Sequence, residues 1–184
     1  MGEGGAAGAM PLTIIGGYLG VGKTTLVNHL LRSADGLRLA VLVNEFGELP
    51  IDRDLIEGRD GNVISIAGGC VCCSYGNDLV MTLQELAAGD VRFDHVLLEA
   101  SGVGIPSAIA ATVSLMGTYA LDGIVVVADV ETIEASARDR YMGETVIAQL
   151  AEADLVILNK RDLVDDAARN RVEGWIGAVA PGAR

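Results

Sequence analysis

The chain has 184 residues, 51% of them hydrophobic, with 24 glycines and a formal net charge of -12. That length and apolar content suit one domain with a sizeable core and argue against disorder over most of the chain. The acidic balance has the wrong sign for gripping nucleic-acid phosphates or an anionic membrane surface.

Residues 1–10 are rich in Gly and Ala and lack the basic start and apolar middle of a secretion signal, so they read as a flexible tail ahead of a domain over 11–184. No apolar run reaches the length needed to span a bilayer. Residues 12–16 form a short apolar run that ends in glycine, the pattern of a buried strand. Leu26, Val27, Leu30 and Leu31 then recur at helical spacing over 23–32. A second strand is expected over 39–43, a polar loop over 44–59, a third strand over 63–66 and a helix over 78–88. Next come a strand at 96–98, a helix at 106–114, a strand at 123–128, a helix at 146–152, a strand at 155–158 and a last helix at 167–178. Strands alternating with helices imply an α/β fold with a mostly parallel sheet covered on both faces.

Between the first strand and first helix, residues 17–24 read Gly-Tyr-Leu-Gly-Val-Gly-Lys-Thr and fit G-x-x-x-x-G-K-[ST], the phosphate loop of P-loop NTPases. Gly17, Gly20 and Gly22 let the backbone turn so that successive N–H groups converge on one point. The following helix adds the positive end of its dipole. Lys23 is the candidate ligand for the β and γ phosphates, and Thr24 offers a hydroxyl to Mg²⁺, a hard cation that selects oxygen. Thr25 follows in the same turn as a further nucleotide-binding candidate.

All three cysteines, Cys70, Cys72 and Cys73, fall within four positions beside Gly68 and Gly69. An odd, clustered set is no disulfide framework and indicates reduced thiols, hence the cytoplasm. On a straight strand Cys73 would oppose the other two, so three sulfurs on one ion require a turn, which the glycines permit. Thiolates favour Zn²⁺ or a similar soft to borderline ion, and three of them leave a fourth tetrahedral position open, which suits transfer. Packing as small apolar residues or a redox role are the alternatives.

The strand at 96–98 runs into Glu99-Ala-Ser-Gly102. Ligands of open parallel sheets sit beyond the carboxyl ends of the strands, so Glu99 is placed near Mg²⁺ or its waters and Gly102 can offer an N–H to the γ phosphate. Asp129 stands at the corresponding end of another strand, with a structural or a functional role. Asn159-Lys160-Arg161-Asp162 follows the last strand and fits N-K-x-D, the guanine-reading motif: the Asp162 carboxylate can accept two hydrogen bonds from guanine that adenine cannot supply. His29 and His95 read as structural histidines.

In this order the motifs resemble the CobW-type family of metal-linked P-loop GTPases. The matching elements are residues 17–26, Asn-Glu-Phe-Gly-Glu at 44–48 with Ile51 and Asp52, Gly-Cys-Val-Cys-Cys at 69–73, Glu-Ala-Ser-Gly at 99–102 and Asn-Lys-Arg-Asp at 159–162. The resemblance implies a G domain that binds GTP, hydrolyses it slowly and delivers zinc or cobalt to a client protein or chelatase. It implies that residues 44–52 form a switch loop, with Glu48 and Asp52 joining Lys23 and Glu99 as candidate catalytic residues. It also implies that the cysteine loop lies near that switch, so that metal and nucleotide bias one another. A homodimer is a further candidate partner. Relatives of this kind carry a last strand, a final guanine-contacting loop and a C-terminal domain beyond the region matched here. The sequence departs from some of them at Val43, where they carry Glu, and at Ile105, where they carry an acidic or polar residue. The alternatives are a passive metal-binding module with nucleotide as a structural ligand, and a P-loop ATPase or kinase.

Overall fold

The computed structural model describes residues 8–43, 65–67 and 77–184. Six strands, β1 (Met10–Gly16), β2 (Leu39–Val43), β3 (Ser65–Ala67), β4 (His95–Glu99), β5 (Tyr119–Asp129) and β6 (Leu155–Asn159), form one sheet in the order β3-β2-β4-β1-β5-β6. Every neighbouring pair is parallel. The intervening helices are α1 (Lys23–Arg32), α2 (Asn77–Ala88), α3 (Pro106–Met116), α4 (Ile133–Ala137), α5 (Gly143–Ala151) and α6 (Asp166–Val179). The α/β expectation therefore holds.

Alternation along the strands divides the core in two. Ile15, Val41, Val43, Leu97 and Val127 pack with Val27 of α1 on one face. Leu12, Ile14, Leu42, Leu98 and Val126 pack on the other with Leu83 of α2, Val113 of α3, Leu150 of α5 and Val172 of α6. β2 is buried at all five positions, as a strand covered on both faces must be. Each fully buried Leu, Ile or Val contributes about 1.5–3 kcal/mol relative to exposure. The Tyr119 hydroxyl donates to the Leu83 carbonyl at 2.6 Å and ties β5 to α2. Burial pushes its pKa up to about 12, which keeps it a donor.

Four elements differ from the sequence expectation. β1 begins at Met10, inside the expected tail, because Met10 pairs with Tyr119. β5 begins at Tyr119, four residues early. Its first half is exposed on several positions and carries Asp122 as an extra residue at a bulge between Leu12 and Thr13, so it shows no apolar run. α5 begins at Gly143, a weak helix former. A Cβ there would stand 2.5 Å from the Ala137 carbonyl oxygen, so the close approach of α5 to the end of α4 requires glycine. α4 itself has five residues, too few for a helical period to be read.

The parallel arrangement brings the strand ends Gly16, Val43, Glu99, Asp129 and Asn159 to one edge. Ile15 and Val43 pair with Glu99, and Asp129 pairs with Asn159.

Candidate functional site

The phosphate loop leaves β1 through Gly17, whose φ is 129°. A Cβ on Gly17 would collide with the Val127 carbonyl oxygen. Glycine is therefore required both by the backbone conformation and by the space. Gly20 (φ 71°) and Gly22 (φ 99°) complete the turn, and Gly22 caps α1 without a side-chain acceptor. The first turn of α1 also contains no acidic residue. Two other helix starts, those of α3 and α6, meet a carboxylate. Asp165 accepts the Ala168 N–H at 2.7 Å to close α6. Glu152 accepts from the Ser107 N–H at 2.9 Å and from its hydroxyl at 2.7 Å at the start of α3. The start of α1 has no such carboxylate, and the N–H groups and dipole of a helix start suit an anion.

Around that helix start lies a cavity of about 370 Å³ lined by Leu19, Gly20, Gly22, Lys23, Thr24, Thr25, Glu99, Ala100, Ser101 and Gly102. The expected phosphate and Mg²⁺ residues thus converge. Lys23 is buried, and its Nζ donates to the Tyr18 carbonyl at 3.1 Å, within the phosphate loop. The Thr24 hydroxyl donates to Glu99 Oε1 at 2.9 Å, which joins α1 to the end of β4. Glu99 is buried at 3% exposure, so its carboxylate acts inside the cavity rather than in bulk water. Gly102 lies against the phosphate loop: a Cβ there would stand 2.8 Å from the Leu19 backbone nitrogen. The two loops are packed together, and only glycine fits between them.

The N-K-x-D residues occupy the next strand ends. Asn159 Nδ2 donates to the Val21 carbonyl at 2.8 Å, and a Cβ on Gly22 would collide with that same nitrogen. Asn159 therefore holds the phosphate loop from the side, a role that reading it as a base contact had missed. Lys160 adopts a left-handed φ of 58° and places Nζ 2.8 Å from Asp129 Oδ2. Burial opposes charge on Asp129, but the Lys160 ammonium, the Glu131 N–H and the Thr132 hydroxyl outweigh it and hold the carboxyl below its ordinary value. The hydrogen bond to Asp129 in turn raises Lys160 above its ordinary value. Asp129 is thus a structural partner that orients Lys160. Asp162 stands exposed in the short 3-10 turn Arg161–Leu163 just beyond β6.

His29 is exposed on α1. His95 Nε2 lies 2.8 Å from Thr13 Oγ1 at the opposite edge of the sheet, consistent with its structural reading. Glu48, Asp52, Cys70, Cys72 and Cys73 lie outside the described residues. Gln149 is a residue that the sequence motifs do not single out. It is 1% exposed and donates to two carbonyls of the loop after β4. Its signal in the sequence is a polar residue between Val146 and Leu150 on the apolar face of a helix.

No helix among the described residues is long and apolar enough to cross a membrane. Residues 11–184 match the family model described as CobW/HypB/UreG, nucleotide-binding domain. The zinc chaperone CobW of Sinorhizobium sp is 33% identical over 199 residues, covering 93% of this chain and 56% of that protein. The zinc-regulated GTPase metalloprotein activator 1 of Dictyostelium discoideum is 31% identical over 213 residues, covering 95% of this chain and 45% of that protein. The crystal structure of Zn(II)-bound YjiA GTPase from E. coli matches with a TM-score of 0.65 at 25% identity, over 92% of this chain and 54% of that one. The chain spans about half the length of the curated relatives it matches. On the agreement of motif order, strand-end geometry and these likenesses, the chain belongs to the CobW/HypB/UreG nucleotide-binding family.

Proposed function

We propose that this chain is the G domain of a cytoplasmic metallochaperone that binds GTP, hydrolyses it slowly and hands zinc to a client metalloprotein. The observation that carries the nucleotide half is the uncapped start of α1, which opens into a cavity where Thr24 and Glu99 meet. The metal half is supported by the three clustered thiols and by the relatives, two of them named for zinc. Cobalt is the second metal that three thiolates would accept.

Residues 17–25 cradle the triphosphate through backbone N–H groups, and Lys23 holds its charge. Gly102 contributes an N–H toward the γ phosphate. Asp162 reads guanine, Lys160 lies along the base with its head fixed by Asp129, and Asn159 keeps the loop in shape. The donor set fits Mg²⁺, since a hydroxyl and a carboxylate 2.9 Å apart are both hard oxygen ligands. When bound, Mg²⁺ supplies charge neutralisation to the phosphates. Glu48, Asp52 and Glu99 are the residues that orient the attacking water. Phosphoryl transfer depends on positioning and electrostatics, and no arginine is among the described residues that line the cavity. Turnover of the isolated chain is therefore slow, and zinc, a second copy or the client accelerates it.

The test is GTP hydrolysis with and without Zn²⁺ in the wild type and in Cys70→Ala/Cys72→Ala/Cys73→Ala, with ATP as competitor. We expect GTP to bind in preference to ATP, zinc to change the rate in the wild type, and the triple variant to lose both tight zinc binding and that response. Flat, negligible rates throughout would indicate the passive metal-binding module. Equal affinity for ATP and GTP would overturn the base assignment.

A further inference from the structure

Gln149 is the most completely buried of the buried polar side chains described. It projects from α5, and its Nε2 donates to the Gly102 carbonyl at 3.2 Å and to the Gly104 carbonyl at 2.8 Å. Both acceptors belong to the loop between β4 and α3. Within that loop the Gly104 N–H donates to the Ser101 carbonyl at 2.9 Å. The two peptide planes that flank Gly102 are thereby both fixed. The plane before it is held through the Ser101 carbonyl, and the plane after it through Gln149. A planar trans peptide points its N–H opposite to its carbonyl, so fixing these carbonyls fixes the directions of the Gly102 and Val103 N–H groups. Just past the end of α5, Glu152 closes the start of α3 at Ser107. The loop is therefore held near both of its ends by one helix.

We propose that Gln149 is a positioning residue for recognition of the γ phosphate, acting through the Ser101–Gly104 loop, and that α5 is the frame against which this loop senses GTP. This rests on the reading of Gly102 as a γ-phosphate contact. Glutamine suits the task because it offers a neutral donor to two acceptors, one buried and one half-buried. A carboxylate there would face two carbonyl oxygens, and an apolar side chain would take the donor from both. The β and α phosphates are held by residues 17–25, which Gln149 does not touch. Its loss therefore discriminates between triphosphate and diphosphate, which a general loss of stability would not do.

The experiment measures the affinity of the full chain for GDP and for a non-hydrolysable GTP analogue, both with Mg²⁺, in the wild type, Gln149→Met, Gln149→Glu and Gly102→Ala. For both Gln149 variants the ratio of GTP-analogue to GDP affinity falls tenfold or more, while GDP affinity stays within twofold. A folded Gln149→Met with a wild-type ratio overturns the proposal. If Gly102→Ala lowers the ratio and Gln149→Met does not, the γ-phosphate reading stands and the clamp is wrong. If Gln149→Met lowers it and Gly102→Ala does not, the clamp stands and acts through Val103. Should the Gln149 variants fail to fold, the assigned side-chain amide of Gln149 in the wild type decides. Its NMR signals shift, and its exchange with solvent slows, when the GTP analogue replaces GDP. Identical signals in the two states overturn the proposal.

Discussion

Replacing Asn159 with Ala should weaken every nucleotide by the same factor, whatever its base. The side chain joins the end of β6 to the phosphate loop through one hydrogen bond of 2.8 Å to the Val21 carbonyl, and it stands where a Cβ on Gly22 would be. Removing the donor forfeits a net hydrogen bond of about 1 kcal/mol, and about 1–3 kcal/mol if the buried carbonyl finds no other partner. Val21 is 4% exposed, so replacement by water is restricted. At about 1.4 kcal/mol per tenfold, a loss near the middle of that range weakens binding roughly tenfold or more. On the proposed reading of residues 17–25 as the phosphate cradle, GTP, GDP and inosine diphosphate should all suffer alike. Asn159→Asp should be worse, since an acceptor would face the carbonyl. The assay is calorimetric titration of GDP and inosine diphosphate, which lacks the exocyclic amine of guanine, into Asn159→Ala and Asp162→Ala. The Asp162 variant should lose more affinity for GDP than for inosine diphosphate, which keeps the ring N–H that Asp162 would accept but not the amine. An Asn159→Ala variant that loses GDP affinity while keeping inosine diphosphate affinity would refute the latch and return Asn159 to base reading alone.

Lys23→Ala should abolish nucleotide binding, and retained GTP affinity by the same titration would count against the phosphate site. Gly17→Ala forces a side chain onto a φ of 129° and into the Val127 carbonyl. Strain of about 1–3 kcal/mol, at roughly 2–4 °C per kcal/mol for a domain of this size, should lower the melting temperature by about 2–12 °C in a thermal melt. Asp129→Asn should destabilise the chain at neutral pH. Because the folded carboxyl is held below its ordinary value of 3.8, its contribution is full above that value and is lost as pH falls through the lower folded one. The difference in melting temperature between wild type and variant should therefore shrink only below about pH 3.8, and a difference that does not vary down to pH 2 would show that the ion pair is not its source.

Sequence patterns gave away those parts of the site in which the backbone does the chemistry. Gly17, Gly20 and Gly22 announce the phosphate loop because positive φ selects glycine. Glu99 announces itself because a charge that ends a run as apolar as Val96-Leu97-Leu98 must sit at a strand end. Gln149 and the latch role of Asn159 stayed hidden because they depend on which strand lies beside which. β6 meets β5, and the end of β6 reaches the phosphate loop across 138 positions of sequence. Nothing local encodes that adjacency. The early start of β5 was hidden for the opposite reason: after the buried Tyr119, residues 120–122 are exposed and held by pairing with β1, and pairing leaves no hydrophobic signature.

The pattern of helix ends sets the electrostatics of the edge at which the strands end. α3 and α6 begin at the same edge as α1, yet Glu152 and Asp165 supply carboxylates that neutralise their starts. α4 and α5 have no side-chain cap but carry Glu134 and Glu144 in their first turns, whereas α1 has neither device, which leaves the positive end of its dipole at the mouth of the cavity. Glu99 stands only one hydroxyl away, and its negative charge would oppose an incoming triphosphate. A divalent cation between them reverses that sign. The geometry therefore makes triphosphate affinity strongly dependent on Mg²⁺, and Glu99→Gln should reduce that dependence by relieving the repulsion while also removing a metal-side carboxylate. Titrations of the GTP analogue with Mg²⁺ and with EDTA separate the two effects. The wild type should lose far more affinity in EDTA than the variant does. Equal losses would mean that the Glu99 charge does not face the phosphates.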